Sequence, residues 1–161
     1  MQVRQAAGTE MLELWGYQKE ADASPTARYF YRNITSGNAV FWALDHEGQL
    51  VGELYAFLDI EEDRAFADGQ TRAYLCAFRV MKEYRGQGYG RRLMDAAVRD
   101  LKARGFRYAT IGVDDVENEK LYRHMGFATK VRDCHDDPCA RDANMRPVAD
   151  EAGYRLLLRE L

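Results

Sequence analysis

The chain has 161 residues, with 23 lysines and arginines, 26 aspartates and glutamates, a formal net charge of −3 and three cysteines. This length predicts a single domain over residues 1–161 that is large enough to bury a core. A hydrophobic fraction of 47% and only three prolines exclude a disordered chain, and the slightly acidic balance argues against a nucleic-acid partner.

The sequence contains no recognisable membrane or export signal. Its longest uninterrupted apolar run, residues 39–44, is six residues long, whereas a membrane-spanning helix needs about 18. The first residues contain no apolar signal-peptide core. We therefore expect a cytoplasmic protein with no membrane partner, whose cysteines are mostly reduced thiols rather than a disulfide framework.

The first half of the chain predicts two helices and a hairpin. Ser24 can accept a hydrogen bond from the free N–H groups at a helix start, and Pro25 suits the first helical position because its missing donor is not needed there. In chain order the predicted elements are a weak strand over residues 1–7, helices over 9–15 and 24–34, and an antiparallel hairpin of 41–44 with 50–58. A polar segment, residues 59–70, follows the hairpin.

The second half of the chain predicts a strand–helix–strand unit. Leu93, Met94 and Ala97 recur at helical spacing, which indicates an amphipathic helix after a buried strand. In chain order the predicted elements are a strand over residues 73–80, a helix over 90–104, a strand over 108–113, a helix over 117–125, and strands over 127–131 and 154–158. Residues 132–153, between the last two strands, are predicted to form a polar loop.

A glycine-rich turn joins the strand at residues 73–80 to the helix that follows it. Residues 85–90 are Arg-Gly-Gln-Gly-Tyr-Gly, and the helix continues at once with Arg91-Arg92. Such a turn presents unpaired backbone N–H groups and the positive end of a helix dipole to one point, which suits a phosphate or pyrophosphate. The Lys-Ser/Thr pair of a Walker A loop is absent, and the spacing does not fit a Rossmann fingerprint. A purely conformational turn is the alternative.

Two motifs in this half resemble those of the GNAT N-acetyltransferase superfamily. The strand ending at Val80 and the turn at residues 85–90 resemble its acetyl-CoA motif, [Arg/Gln]-x-x-Gly-x-[Gly/Ala], and residues 121–127, Leu-Tyr-Arg-His-Met-Gly-Phe, match its Leu-Tyr-x-x-x-Gly-Phe element. The resemblance is strong over residues 73–131. It implies a mixed α+β fold with a central sheet of about six or seven strands, helices on both faces, and strands that splay apart at the cofactor cleft.

The resemblance also implies acetyl-CoA as the cosubstrate and indicates which residues bind it. The backbone amides of the turn would receive the pyrophosphate with an arginine side chain beside them, and the strand edge would pair with the pantetheine arm. The residues so implied are Phe78, Val80, Arg85, Gln87, Gly88, Gly90 and Arg91. Asn118 is a further candidate for the pantetheine, but it lies only four residues before Tyr122, closer than in many family members. A shortened helix and an N-cap role for Asn118 are both open.

The implied reaction is direct transfer of the acetyl group from acetyl-CoA to a primary amine. Tyr122 corresponds to the tyrosine that protonates the departing thiolate as general acid. The backbone N–H of Phe78 or Arg79 is the implied hydrogen-bond donor to the oxyanion. The alternative function is a non-catalytic acyl-CoA-binding sensor. The tyrosine argues mildly against that alternative, because binding alone needs no proton donor.

A general base cannot be assigned from a motif, because the strand at residues 73–80 contains no Asp, Glu or His. We predict that Glu53, on the second strand of the hairpin, serves as this base. Asp59 and Glu61 at the end of the hairpin are alternatives for the same role, and a chain of water molecules is another. The competing interpretation for all three is an ordinary solvated edge of the sheet.

The acceptor is not identified by any motif, and we expect a small-molecule or peptide amine and a protein that is a monomer or homodimer. Residues 134–139, Cys-His-Asp-Asp-Pro-Cys, lack a second pair of ligands for zinc, so we expect no metal site and a polar loop near the substrate mouth. Cys76 is predicted to be a small core residue. Aromatic candidates for the acceptor pocket are Tyr29, Phe30, Trp42, Tyr55 and Phe57.

Charge is unevenly distributed along the chain. Residues 79–92 contain five basic side chains and one acidic one, whereas residues 133–151 contain six acidic side chains and two arginines. This asymmetry predicts a basic surface for an anionic cofactor and an acidic surface that favours a cationic amine.

Overall fold

The computed structural model describes all residues from 1 to 161 and contains one seven-stranded sheet in the order β1-β2-β3-β4-β5-β7-β6. The β4–β5 pair is parallel, and every other neighbouring pair is antiparallel. The strands are β1 (Gln2–Gln5), β2 (Ala39–His46), β3 (Gln49–Phe57), β4 (Arg72–Val80), β5 (Tyr108–Val113), β6 (Thr129–Arg141) and β7 (Pro147–Glu160). The predicted mixed α+β fold is confirmed.

Four helices cover the two faces of this sheet, as the resemblance implies. They are α1 (Gly8–Leu14), α2 (Pro25–Ser36), α3 (Tyr89–Ala103) and α4 (Val116–His124). One hydrophobic cluster packs α3 against the sheet through Leu93 and Leu101, and a second packs α1 and α2 against the opposite face through Met11 and Phe30. None of the helices has the length and apolar character needed to cross a membrane.

The ends of α2 follow directly from the sequence. The Ser24 hydroxyl accepts a hydrogen bond from the backbone N–H of Ala27 at 3.1 Å, and Pro25 occupies the first helical position. The helix ends at Gly37, whose φ of 85° is in the left-handed region that glycine adopts without steric cost. The predicted roles of Ser24 and Pro25 at the start of α2 are confirmed.

The prediction of a polar loop over residues 132–153 is wrong. β6 continues to Arg141 and β7 begins at Pro147, and the pairing extends to the register Arg141↔Pro147. We call the distal part of this hairpin, residues 134–153, the β6–β7 arm. Three register shifts interrupt its ladder, so its buried side chains, Cys134 and Cys139 among them, do not alternate regularly with exposed ones. The period-2 signal of a half-buried strand is therefore absent from the sequence.

Arg141 fixes the β6–β7 arm against α2. Its side chain is only 1% exposed and donates hydrogen bonds to the carbonyl oxygens of Pro138 and Met145 and to the carboxylate of Glu62. The guanidinium carbon lies 3.9 Å from the ring centroid of Tyr29 on α2, within the range of a cation–π contact. The arm is therefore held over the α1–α2 face of the sheet instead of extending into solvent.

Replacing Arg141 by alanine is expected to lower the free energy of unfolding by about 2–3 kcal/mol, because buried carbonyl groups lose charged hydrogen-bond donors. Urea unfolding of the purified chain measures this change. Arg146→Ala is the matched control, since this exposed side chain on the same arm makes no hydrogen bond or ion pair. The control should stay within about 0.5 kcal/mol of wild type. Equal unfolding midpoints for the two variants would contradict the assigned role of Arg141.

Candidate active site

The cleft of the molecule begins where β4 and β5 separate. These strands pair only from Arg72↔Tyr108 to Leu75↔Ile111, although β4 continues to Val80. Beyond Leu75 the second edge of β4 has no partner strand, whereas β5 remains paired with β7 up to Val113. The predicted splaying of the strands is confirmed, and it leaves a strand edge that an extended ligand can pair with.

A β-bulge in β4 sets the direction of that free edge. The register with β3 changes by one residue between Tyr55↔Cys76 and Glu53↔Arg79. Ala77 lies in the bulge with a φ of 50°, a left-handed conformation that a non-glycine residue rarely adopts. Past the bulge, the N–H of Met81 donates to the carbonyl of Val51 on β3. Successive residues of a strand direct their backbone N–H and C=O groups to opposite sides, so those of Val80 are directed away from β3 and toward the cleft.

The glycine-rich turn forms a cradle of unpaired backbone donors beside this edge. None of the backbone N–H groups from residue 86 to residue 91 donates to a backbone carbonyl, and Gly88 precedes α3 without a side-chain cap. Gly86 and Gly88 have φ values of 77° and 84°, and a Cβ atom added at either would meet nothing within 4 Å. Open space, free donors and the positive end of a 15-residue helix together fit a bulky anion.

A first cavity of about 480 Å³ follows the free edge of β4 from this cradle to α4. We call it the cleft cavity. Six of the predicted cofactor residues line it together with Tyr122: Phe78, Val80, Arg85, Gly88, Gly90 and Asn118. The side chains of Gln87 and Arg91 are exposed and do not line the cavity, so only their backbone N–H groups are available to a ligand there.

Asp115, and not Asn118, caps α4. The Asp115 carboxylate accepts hydrogen bonds from the backbone N–H groups of Glu117 and Asn118, at 2.8 and 3.4 Å. The possibility that Asn118 is the N-cap is therefore wrong. Its side-chain amide donates to Asp115 at 3.0 Å, which leaves its carbonyl oxygen without a partner beside the cleft cavity.

Tyr122 lies on α4 between two aromatic rings. Its ring centroid is 6.4 Å from that of Phe78 and 6.3 Å from that of Phe127. Burial raises the pKa of the Tyr122 phenol above its usual value, and the negative charges of Asp114 and Asp115 raise it further. The phenol therefore keeps its proton at neutral pH and can act as a hydrogen-bond or proton donor.

A second cavity, of about 310 Å³, opens on the α1–α2 side of β4. It shares Phe78 and Tyr122 with the cleft cavity, and we call it the inner cavity. Its walls are mostly apolar, and their larger side chains are Trp15, Phe30, Tyr74, Phe78, Ile111 and Tyr122. Of the five aromatic residues predicted for an acceptor pocket, only Phe30 lies here. Trp15 and Tyr74 are missed by the sequence reasoning.

The β6–β7 arm completes the inner cavity. Asp137, Cys139 and Ala140 line it opposite Cys76 and Ala77 of β4. Residues 134–139 belong to a strand and not to the predicted polar loop, and their position near a substrate mouth stays a prediction. Cys76 is half-buried at the cavity wall instead of lying in the core.

Glu53 is buried and does not lie on a solvated edge of the sheet. It is 4% exposed, and its Oε1 atom accepts hydrogen bonds from the indole N–H of Trp15 at 2.7 Å and the hydroxyl of Tyr55 at 2.8 Å. Its Oε2 atom accepts two from the guanidinium of Arg79, at 3.0 and 2.5 Å. Every acceptor position of the carboxylate is engaged, and Glu53 lines neither the cleft cavity nor the inner cavity.

The other two candidates for the base also lie away from both cavities. Asp59 forms an ion pair with Arg64 at 3.3 Å, and Glu61 is exposed without an ion-pair partner. Neither lines the cleft cavity or the inner cavity. The hairpin therefore brings no unengaged carboxylate to the place where the two cavities meet.

We expect Glu53→Gln to lower the free energy of unfolding by about 2 kcal/mol or more, because an amide nitrogen replaces an acceptor that buried donors require. Urea unfolding followed by tryptophan fluorescence measures both stability and the surroundings of Trp15. Glu61→Gln removes the same charge from an exposed position and should change stability by less than about 0.5 kcal/mol. A fully stable Glu53→Gln variant with unchanged fluorescence would contradict the view that the Glu53 carboxylate holds Trp15 and Arg79 in place.

Comparisons with known proteins agree with this geometry. A sequence profile described as the Acetyltransferase (GNAT) family matches residues 8–127. The N-alpha-acetyltransferase 30 of Schizosaccharomyces pombe is 27% identical over 115 residues, which cover 68% of this chain and 72% of that protein.

Solved structures share the fold at lower sequence identity. Arabidopsis thaliana NAA60 in complex with a bisubstrate analogue superposes with a TM-score of 0.64 at 21% identity, over 99% of this chain and 97% of the other. The polyamine N-acetyltransferase of Drosophila melanogaster gives a TM-score of 0.65 at 16% identity, over 99% of both chains. With the family profile spanning α1 to α4 and the glycine cradle, free strand edge and Tyr122 in place, the chain belongs to the GNAT acetyltransferase family.

Proposed function

We propose that this chain, acting as one domain over residues 1–161, transfers an acetyl group from acetyl-CoA to the primary amine of a small-molecule or peptide acceptor. The observation that carries the proposal is that the cleft cavity and the inner cavity meet at Phe78 and Tyr122. A cofactor that occupies the first cavity and an amine that occupies the second would react at this junction. The names of the related proteins range from N-alpha-acetyltransferase to polyamine N-acetyltransferase, so they do not select one acceptor.

Acetyl-CoA supplies the activated acetyl group, and the free edge of β4 with its neighbouring turn fits this cosubstrate. The backbone N–H groups of residues 86–91 are the donors available for the pyrophosphate. The N–H and C=O of Val80 and the side chain of Asn118 suit the amides of the pantetheine arm. In the structure the Nε of Arg85 donates to the Val80 carbonyl at 2.8 Å. We infer that Arg85 releases this carbonyl when the cofactor binds and then faces the phosphates.

The backbone N–H of Phe78 is the best candidate for the oxyanion donor. Arg79 is in register with Glu53, and the hydrogen bond from Met81 to Val51 indicates that Arg79 uses its own N–H in the same ladder. Phe78 follows the bulge at Ala77 and lines both cavities. A fixed donor here would stabilise charge that develops on the thioester oxygen.

Tyr122 is the proposed general acid. Its raised pKa keeps the phenol protonated at neutral pH, so that a proton is in place for the thiolate when it departs. The amine attacks the thioester carbonyl carbon, the carbon–sulfur bond breaks, and the phenol proton passes to the sulfur. We assign Glu53 to positioning Trp15 and Arg79, since its engaged oxygens leave no lone pair for a substrate proton.

Tyr122→Phe is expected to lower kcat about 100-fold or more, because general acid catalysis typically contributes this much. The ring contacts with Phe78 and Phe127 are kept, so the dissociation constant of acetyl-CoA should change little. Thiol release with an amine panel measures turnover, and calorimetry measures binding. Tyr108→Phe is the control, because Tyr108 lies on β5 outside both cavities. Unchanged turnover of the Tyr122 variant across pH would contradict the acid role.

Gly88→Ala is expected to weaken acetyl-CoA binding about tenfold or more, since the new methyl group occupies the cradle and strains a left-handed φ of 84°. Gly105→Ala is the matched control for strain: its φ is 95°, a Cβ there also meets nothing within 4 Å, and it follows the opposite end of α3. Both variants should lose about 1 kcal/mol of stability, but only Gly88→Ala should lose affinity. Equal affinities would contradict the cradle as the anion site.

The same measurements separate an enzyme from an acyl-CoA-binding sensor. An enzyme binds acetyl-CoA and releases free thiol in the presence of an amine. A sensor shows the same rise in melting temperature with acetyl-CoA but no thiol release with any amine. A protein with neither response would contradict both functions.

A further inference from the structure

We propose that Asp137, on the β6–β7 arm, is the general base that takes a proton from the acceptor ammonium group. This inference rests on the proposed function and adds the residue that the hairpin does not supply. Asp137 is the only carboxylate among the residues that line the inner cavity, and Phe78 and Tyr122 line the same cavity.

The carboxylate of Asp137 is held on one side and free on the other. Its Oδ1 atom accepts hydrogen bonds from the backbone N–H groups of Cys139 and Ala140, at 3.0 and 3.2 Å. Its Oδ2 atom accepts none from the protein. One oxygen therefore fixes the orientation and the other keeps a lone pair for a proton, which is the opposite of the arrangement at Glu53.

The surroundings of Asp137 favour a cationic amine. A neighbouring cavity of about 180 Å³ shares Tyr74, Gly112 and Asp137 with the inner cavity and adds the carboxylates of Asp114 and Asp150. No lysine or arginine lines either cavity. An ammonium ion that enters here meets negative charge at the rim and apolar walls further in, so deprotonation of the amine is favoured as it approaches the thioester.

The proton balance of the transfer is complete with these two residues. The ammonium gives one proton to Oδ2 of Asp137, and the lone pair so exposed forms the new carbon–nitrogen bond. The carbon–sulfur bond breaks as the Tyr122 phenol protonates the thiolate. The second nitrogen-bound proton then restores the phenol, and Asp137 releases its proton to water. The products are the amide, coenzyme A and one proton.

Several ionisable side chains line the same two cavities as Asp137. The other titratable groups near it are Tyr74, Cys76, Tyr122, Cys139 and Tyr154. Burial raises the pKa of Tyr74, Tyr122, Tyr154 and Cys139, so these groups stay neutral through the neutral range. Asp114 and Asp150 face the adjoining cavity and are unchanged in the variants described next.

Asp137→Asn tests the proposal, because asparagine keeps an oxygen for the N–H groups of Cys139 and Ala140 but cannot accept the proton. We expect kcat/KM to fall about 100-fold or more at pH 7, with acetyl-CoA affinity unchanged. The activity of the variant should rise about tenfold per pH unit, because it then depends on the neutral amine in solution. The loss relative to wild type should therefore shrink at high pH. The probes are 2-phenylethylamine, spermidine and a short peptide with a free N-terminus.

Asp136→Asn is the matched control. Asp136 is exposed, its side chain makes no hydrogen bond, and the substitution removes the same unit of charge from the adjacent position. An equal loss of kcat/KM in both variants would show that the total negative charge of the β6–β7 arm matters and not Asp137 itself, and would overturn the proposal. Wild-type activity and pH profile in Asp137→Asn would also overturn it, with the acetyltransferase function intact. Absence of transfer by the wild-type chain to all three amines would contradict the proposed function itself, and the role of Asp137 with it.

Discussion

The separation of β4 from β5 after Leu75 and Ile111 is the constraint on which the rest of the site depends. Two parallel strands would normally continue their ladder, but here β5 loses β4 as a partner after Ile111 and stays paired only with β7, on its other side, up to Val113. The bulge with Ala77 in a left-handed conformation turns the remaining part of β4 toward the gap. The same opening exposes the edge that suits the cofactor and lets Tyr122 of α4 reach the space between the strands.

The second half of the site comes from distant parts of the chain. The inner cavity has β4 as its floor, Trp15 and Phe30 on one side and the β6–β7 arm on the other. Arg141 keeps the arm there through contacts with Glu62 and Tyr29, and its backbone N–H donates to Thr26 on α2. Buried ionic and cation–π contacts of this kind specify an orientation, which a cavity of fixed shape requires. The cleft cavity and the inner cavity are thus built from largely separate structural elements and share only Phe78 and Tyr122.

The cleft cavity can be predicted from the sequence much better than the inner cavity. The cleft cavity is encoded locally: the glycine turn, the helix that follows it and Tyr122 lie within 37 residues of Arg85 and can be identified from spacing. The inner cavity is encoded by contacts between residues far apart in sequence, such as the pairing of Arg141 with Glu62. A strand with three register shifts has no regular alternation, so residues 132–153 look like a loop. Glu53 looks solvated for the same reason, since its donors Trp15 and Arg79 come from other elements.

The net charge of −3 conceals an uneven distribution of charge around the proposed site. Arg79 and Arg85 border the cleft cavity, whereas Asp114, Asp137 and Asp150 border the cavities on the acceptor side. In the proposed function, an anionic cofactor and a cationic amine are therefore attracted to different cavities, which lowers the chance that either blocks the other. Fixed charges also act on the reaction itself: negative charge near Tyr122 raises the pKa of its phenol, and the same acidic surface draws in the ammonium that must lose its proton. Charge placement and strand geometry thus both favour the proposed arrangement, with the cofactor in the cleft cavity and the amine in the inner cavity.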